Sequence, residues 1–357
     1  MKKIILIAVL FLAGSPLFSQ VDFQKGTLAD MFQKAQDENK VLMVDVMTDW
    51  CKWCVELDNK VYSRPEMYEF ANKNQVNYKI DAEKGEGVEF AKKYKVNGYP
   101  TVLFLKADGS EVDRIVGYVP LKDFVEMMTD YNKGVNTMSD LKKKLETNPN
   151  DIVTNIKMGD KLMSVGDNDG AKKCYQKVID LDPQDLSGKV AEAKFDIAAT
   201  SDKDHIVQNV KQFIQDYPNS DKVKDAYITL AEAYYYALKD KDNADKTFKE
   251  ALQKFNGDDA LNSSYGQYLN AQAGDLAEKK GAGEEDYKNG LALIDEAIPY
   301  LKGTVNEGSS YYLQAKLLFN LKDYAKASDS IDKAIKIFDR KLYRDLKDKI
   351  QKQMSEK

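Results

Sequence analysis

The sequence predicts two structural classes in one chain: an α/β domain with a mixed sheet and helices on both faces, then an all-α solenoid of helical repeats. Strand-like and helix-like hydrophobic patterns alternate up to about residue 132, whereas helical periodicity alone continues after about residue 136. In this second part, Ala, Leu and Tyr recur at the offsets of a helix–turn–helix unit of about 34 residues. These two observations carry the prediction.

The composition fits a helix-rich chain of about two domains. The 357 residues include only 20 Gly and 8 Pro, which excludes a collagen-like or loop-dominated protein. The formal net charge is −5 and no basic block is long enough to follow a phosphate backbone, so we expect no nucleic-acid partner. One histidine and three cysteines cannot build the usual four-ligand zinc site. We therefore expect no such zinc site.

The first nineteen residues have the pattern of a secretory signal peptide. Lys2 and Lys3 precede an apolar run from Ile4 to Leu12, and Ser19 is the small residue at the predicted cleavage site. The run is far shorter than the roughly 20 residues that span a bilayer. An uncleaved anchor is the alternative. Cleavage would give an exported protein, periplasmic or secreted, in a compartment where disulfides persist.

Hydrophobic runs of β type predict the strands of the first domain. Val41 to Met47 is almost continuously apolar, as is typical of a central buried strand. Turn residues at 107–109 separate the last two runs, so these should form a hairpin. The predicted strands cover 21–23, 41–47, 76–80, 101–105 and 111–118.

Amphipathic segments between the strands predict helices. Apolar residues from Leu28 to Ala35 recur on one helical face. A helix that begins near Cys51 is interrupted at 63–65, where Ser63 is a suitable N-cap for the helix that follows. The other predicted helices cover 28–39, 88–94 and 121–131.

The second part of the chain contains a repeated helical pair. In its clearest unit Gly159 and Ala171 are the small residues that let two helices approach, and Tyr175 is the aromatic that fills the gap. These sets resemble tetratricopeptide repeats. An unrelated helical bundle is the alternative. The match is good at 152–185 and 308–337, fair at 225–255, and degenerate at 186–222 and 256–305.

These patterns also set the domain boundaries. The predicted organisation is a signal peptide at 1–19, an α/β domain at 20–132, a linker with the start of the first repeat helix at 133–148, repeats at 149–350 and a polar tail at 351–357.

One motif contains residues suited to a chemical reaction, and its sequence is Trp50-Cys51-Lys52-Trp53-Cys54. Two cysteines at this spacing on a first helical turn can form a disulfide with little strain. The first thiol would lie near unpaired N–H groups at the positive end of the helix dipole, which favours the thiolate. We therefore predict Cys51 as the nucleophile and Cys54 as the resolving thiol.

A second segment, Gly98-Tyr99-Pro100-Thr101, opens a predicted strand, and its proline lies 46 residues beyond Cys54. A proline there is a candidate for a cis peptide bond, and such a bend could bring its backbone against the disulfide. An ordinary trans proline at a strand start is the alternative.

On these residues the chain resembles the thioredoxin superfamily over roughly residues 21–132. The resemblance implies that Pro100 is the cis-proline and that Asp45 is the buried acid assisting proton transfer from the resolving thiol. Residues 49–54, 63–65 and 81–85 are most similar to the periplasmic thiol:disulfide interchange branch. We expect substrate contacts from Trp50, Trp53, Tyr99 and Thr101.

The chain also departs from common thioredoxins. Lys52 and Trp53 replace the usual Gly-Pro, so a redox potential does not transfer. Asn77 stands where a lysine usually faces the buried acid, although Lys79 would share the strand face of Asn77.

Each candidate has a plainer interpretation. The cysteine pair could be a structural bridge or half a zinc site, and Asp45 a solvent-linked strand acid, although its apolar surroundings predict burial. Cys174 could be a third redox thiol, but a small core or groove residue is favoured. His205 lies in a polar stretch and is predicted at the surface.

Two functions follow from the sequence. The first is an exported thiol:disulfide oxidoreductase, leaning to reductase, whose repeats bind a protein partner and which draws electrons from a membrane donor. Disulfide exchange needs no metal or organic cofactor, so we expect none. The second is a non-catalytic scaffold in which the repeats bind a protein and the α/β domain is a docking platform. The first is favoured because a docking platform has no need of both cysteines, Asp45 and Pro100 together.

Overall fold

The computed structural model describes residues 19–356. The predicted signal peptide at 1–19 therefore lies outside the described residues, apart from Ser19. Within the described part, an α/β domain is followed by helices alone, as predicted.

The α/β domain is built on one mixed sheet. Its strands β1 to β4 span Val41–Met47, Gln75–Asp81, Thr101–Leu105 and Glu111–Val116. The spatial order is β2-β1-β3-β4, in which β1 and β2 run parallel and the other pairs are antiparallel. The predicted first strand at 21–23 is reduced to a single parallel bridge between Phe23 and Asn77.

Five helices cover both faces of this sheet, which confirms the predicted layers. Val44 packs on one face with Phe90, and Met43 packs on the other with Leu57 and Phe124. This follows from the pleat, since consecutive strand residues point to opposite faces. The helices α1 to α5 span Leu28–Asp37, Lys52–Leu57, Pro65–Asn74, Gly87–Lys93 and Leu121–Asn132.

The break after α2 differs in detail from the prediction. The helix continues as a π-helical turn, Asp58–Tyr62, and Arg64 rather than Ser63 is the N-cap of α3. The Ser63 hydroxyl instead donates to the carbonyl of Asn59 at 2.6 Å. Ser63 was therefore wrong as an N-cap, because its side chain bonds back to the preceding turn.

Each of the remaining helices packs against the helix that follows it in the chain. Gly159 explains the close crossing of the first pair, since a β-carbon there would lie 2.4 Å from the ring of Tyr175. The last helix continues to Ser355 and so includes most of the predicted polar tail at 351–357. The helices α6 to α17 span Met138–Thr147, Ile152–Ser164, Asn168–Leu181, Val190–Ala199, Ile206–Asp216, Val223–Glu232, Lys241–Lys254, Asp259–Glu278, Glu284–Leu301, Val305–Asn320, Tyr324–Ile337 and Lys341–Ser355, and a π-helical turn, Ala233–Ala237, follows α11.

The two domains are joined by buried polar contacts. Lys161 on α7 donates to Asp113 on β4 at 2.9 Å, and it also contacts the hydroxyl of Tyr131. Asp113 accepts a second hydrogen bond, at 2.7 Å, from the backbone N–H of Met138. Both members of the ion pair are almost fully buried. The α/β domain is thereby fixed to the first repeat helices.

Candidate redox site

The two motif cysteines lie at the N-terminus of α2 and are joined by a disulfide. Cys51 is the N-cap residue, and its Sγ accepts the backbone N–H of Cys54 at 3.0 Å. The first N–H groups of a helix have no intrahelical partner and carry its positive dipole end. This position therefore stabilises a thiolate on Cys51 once the disulfide is reduced.

Asp45 lies on the sheet face that carries this helix. It alternates with Met43, which packs with α2, and its carboxyl group is fully buried. Burial raises its pKa to about 6, although Lys79 opposes the rise. A carboxyl group that titrates near 6 can accept a proton at neutral pH. Asp45 is therefore a candidate general base, because it is buried and its pKa is close to neutral pH.

Lys79 links this acid to the surface. Its Nζ lies 3.3 Å from Asp45 Oδ2 and also contacts Asp58 in the π-helical turn. Burial lowers the pKa of Lys79, but the two carboxylates outweigh it and the net direction is upward. Lys79 faces Asp45 directly across the β1–β2 register, whereas Asn77 pairs with Met43. Lys79 therefore supplies the cation beside the buried acid, two residues after Asn77.

The segment before β3 lies beside the motif. The Tyr99–Pro100 peptide bond is cis, and the ring of Tyr99 contacts Trp50 edge-on at 5.8 Å. Thr101 is buried and its hydroxyl donates to Gly98 O at 2.8 Å. The Thr101 side chain is therefore not exposed at the surface.

Aromatic side chains surround the disulfide. Trp50 is 50% exposed and its indole N–H donates to the Glu83 carboxylate at 3.0 Å. Trp53 is 37% exposed and stacks on Tyr118 at 5.7 Å. Both indoles therefore leave apolar surface exposed within a motif whose two cysteines are buried.

Several residues of the site were not predicted. Nothing in the local sequence distinguishes Asp58 and Tyr118 from ordinary surface residues. Lys52 and Glu56, both on α2, form hydrogen bonds with α15, which lies about 250 residues further along the chain. No local pattern reports such a contact, and only the tertiary structure brings these groups together.

Two other candidates lie apart from the site. Cys174 is a free, half-buried thiol on α8, and burial raises its pKa. His205 is exposed and pairs with Asp202. Within residues 19–356, no set of three Cys, His, Asp or Glu residues is arranged to hold a metal ion. In the same range, none of the helices has the length and apolar character of a membrane span.

Family models match both parts of the chain. A thioredoxin-like domain model matches residues 28–132. Tetratricopeptide repeat models match residues 154–185, 225–255 and 308–339. These are the three segments in which the repeat pattern was good or fair, so the tetratricopeptide interpretation is confirmed over an unrelated bundle.

Known proteins are similar to the first part. The chain is 32% identical over 104 residues to the thiol:disulfide interchange protein DsbD of Tatumella citrea, covering 28% of this chain and 18% of that protein. It is 26% identical over 94 residues to the disulfide bond reductase DsbH of Chlamydia pneumoniae, covering 24% and 56%. A solved thioredoxin from Thermus thermophilus is 24% identical, covering 32% of this chain and 87% of that one, with a TM-score of 0.29.

The aligned region therefore spans less than a fifth of DsbD and just over half of DsbH. The segment matched by the thioredoxin-like domain model holds the disulfide, Asp45 and Pro100. The chain carries a thioredoxin-like domain at residues 28–132, homologous to parts of the DsbD and DsbH proteins, followed by tetratricopeptide repeats.

Proposed function

We propose that the protein is an exported thiol:disulfide oxidoreductase that acts on protein disulfides and binds a protein partner through its repeats. The observation that carries this is the Cys51–Cys54 disulfide at the N-terminus of α2, a helix that packs on the sheet face holding Asp45, whose buried carboxyl group has a pKa raised to about 6. A structural bridge needs neither the helix terminus nor the acid.

The reaction in the reducing direction begins with both cysteines as thiols, and Cys51 first loses its proton to solvent. The Cys51 thiolate attacks one sulfur of a partner disulfide, the partner S–S bond breaks, and the departing thiolate takes up a proton. Cys54 then loses its proton to Asp45 and attacks Cys51 Sγ, the bond between Cys51 and the partner breaks, and the second partner thiolate takes up a proton. The partner leaves as a dithiol, and the Cys51–Cys54 disulfide remains. Two electrons and two protons have passed from this protein to the partner.

Export and direction are parts of the same proposal. The charged start and the apolar run at 4–12 support export, and a periplasmic location suits a domain similar to DsbD and DsbH. A reductant in that compartment needs a supply of electrons from across the membrane. We therefore propose a membrane electron donor and the reducing direction.

Cysteine variants of the full chain test the activity. The probe is oxidised glutathione, and the reduced protein is the electron source. We expect Cys51→Ser to abolish exchange and Cys54→Ser to accumulate a mixed disulfide with glutathione, visible by mass. Cys174→Ser is the matched control, because this thiol lies in the repeats, and it should behave as the wild type. Equal exchange by wild type and Cys51→Ser would refute the proposal.

A glutathione redox titration of the wild type tests the direction. A midpoint below roughly −230 mV supports a reductant, whereas one above about −150 mV would make the protein an oxidant.

A further inference from the structure

The repeat domain contacts the redox helix at two points one helical turn apart. Lys52 Nζ donates to Asn306 Oδ1 at 2.7 Å and lies 3.4 Å from Gln267 Oε1. Glu56 Oε1 accepts the backbone N–H of Val305 at 2.7 Å. Both contacts are made at the N-terminus of α15, with Gln267 added from α13. The residue inside the Cys-X-X-Cys motif is thus bonded to the repeats.

These contacts are buried. Glu56 is 3% exposed and Asn306 is 2% exposed. Val305 is the first residue of α15, where backbone N–H groups have no partner within the helix, so Glu56 performs the role of a capping residue from another domain. Hydrogen bonds with one charged partner are stronger than neutral ones. The start of α15 is therefore joined to α2 by two hydrogen bonds that each involve a charged side chain.

Lys52 lies inside the motif, between the two cysteines. It directly follows Cys51 and is the first residue of α2. Desolvation and then the Arg340 guanidinium lower its pKa, while Glu56 opposes this. A cation in a partly buried place interacts more strongly with a neighbouring thiolate than one free in water. The oxygens of Asn306 and Gln267 keep the ammonium in that place.

We propose that Asn306 is a positioning residue for the redox reaction: by holding the Lys52 ammonium beside the motif, it stabilises the Cys51 thiolate in the reduced protein. This rests on the proposed function, because it requires that the Cys51–Cys54 pair exchanges. In the exchange, two glutathione thiols give two electrons and two protons to the Cys51–Cys54 disulfide, and glutathione disulfide is formed. Stabilising the thiolate shifts this equilibrium towards the reduced protein.

A double-mutant cycle in the full chain tests the proposal. Asn306→Leu removes the acceptor and Lys52→Met removes the cation. We expect each single variant to lower the equilibrium constant for reduction by glutathione by about threefold to tenfold, since a nearby cation moves a thiol pKa by about one unit. The pH at which Cys51 alkylation is half-maximal should rise by about half a unit to one unit.

The decisive expectation concerns the double variant. If Asn306 acts through Lys52, Asn306→Leu should have no further effect in the Lys52→Met background. The matched control is Asn270→Leu, which removes another buried amide between α13 and α15, one that bonds Ser310 and not the motif. It should leave the equilibrium constant unchanged. If Asn306→Leu does not fold, Asn306→Ala removes the same acceptor with less added bulk.

Two results would overturn the inference alone. One is an Asn306 variant with the wild-type equilibrium constant and alkylation profile. The other is an equal effect of the variant with and without Lys52. In both cases the wild type still exchanges. A wild-type disulfide that never exchanges with glutathione would instead refute the proposed function, so the two failures are distinct.

Discussion

The Lys79 ammonium lies 3.3 Å from Oδ2 of Asp45 and also contacts Asp58, so one cation joins a fully buried carboxyl group to a partly exposed one. Asp45, the buried one, lies on the sheet face against which α2 packs. Asp58, the partly exposed one, is the C-cap residue of α2. Polar groups therefore connect the buried carboxyl group to solvent.

The first prediction concerns the pH dependence of the resolving step. Burial raises the pKa of Asp45 to about 6. Above that pH the carboxylate is ionised and can accept the Cys54 proton, whereas below it the acid is already protonated. The rate at which Cys54 resolves a mixed disulfide should thus fall by up to about tenfold for each pH unit below 6. Stopped-flow measurement of thiol release between pH 4.5 and 8 checks this.

Asp45→Asn should remove that inflection, because the amide cannot accept a proton. Asp49→Asn is the control, since Asp49 is an exposed acid just before the motif that pairs with Lys84. Its profile should match the wild type. An inflection near pH 6 that persists in Asp45→Asn would assign it to another group.

The second prediction concerns substrate binding by Trp50. This indole is half exposed beside the disulfide and leans on Tyr99. We expect Trp50→Ala to raise the KM for a protein disulfide by about tenfold, because a large apolar contact is lost. Exchange with glutathione, which is too small to use that surface, should change little. Leu186→Ala is the control, because it removes an exposed apolar side chain in the repeats. Equal losses with both substrates would argue against a binding role.

The third prediction concerns the ion pair between the domains. Lys161→Met leaves the Asp113 carboxylate buried without its cation, which should lower the free energy of unfolding by about 3–5 kcal/mol. Urea unfolding followed by circular dichroism measures the change. Lys157→Met is the matched control, because Lys157 is a half-buried lysine on the same helix. Similar stability of the two variants would show that the pair contributes little.

The fourth prediction concerns the first repeat crossing. Gly159→Ala would place a methyl group 2.4 Å from the ring of Tyr175, so we expect a loss of about 1–3 kcal/mol in the free energy of unfolding. Gly274→Ala on α13 is the control, since its nearest neighbour, Leu313, is 3.8 Å away. There the added methyl group should be neutral or stabilising, by up to about 1 kcal/mol. A Gly159→Ala protein as stable as the wild type would mean that α7 and α8 can move apart at little cost in free energy.

The strands and helices of the first domain were predictable because their signals are local. The apolar run at 41–47 and the turn at 107–109 define β1 and the β3–β4 hairpin from neighbouring residues alone. Ser63 was misassigned for the opposite reason. Ser63 and Arg64 are both available before Pro65, and the hydrogen bond to Asn59 decides between them.

The sequence by itself determined the two fold classes, the cysteine pair at a helix start and the acid in the central strand, because periodicity and short spacings encode them. Only the tertiary structure decided which side chains surround that pair. Lys79 reaches Asp45 through strand register, and Asn306 reaches Lys52 through the docking of two domains. Contacts between residues far apart in the chain depend on how whole elements pack, and no local pattern records that packing.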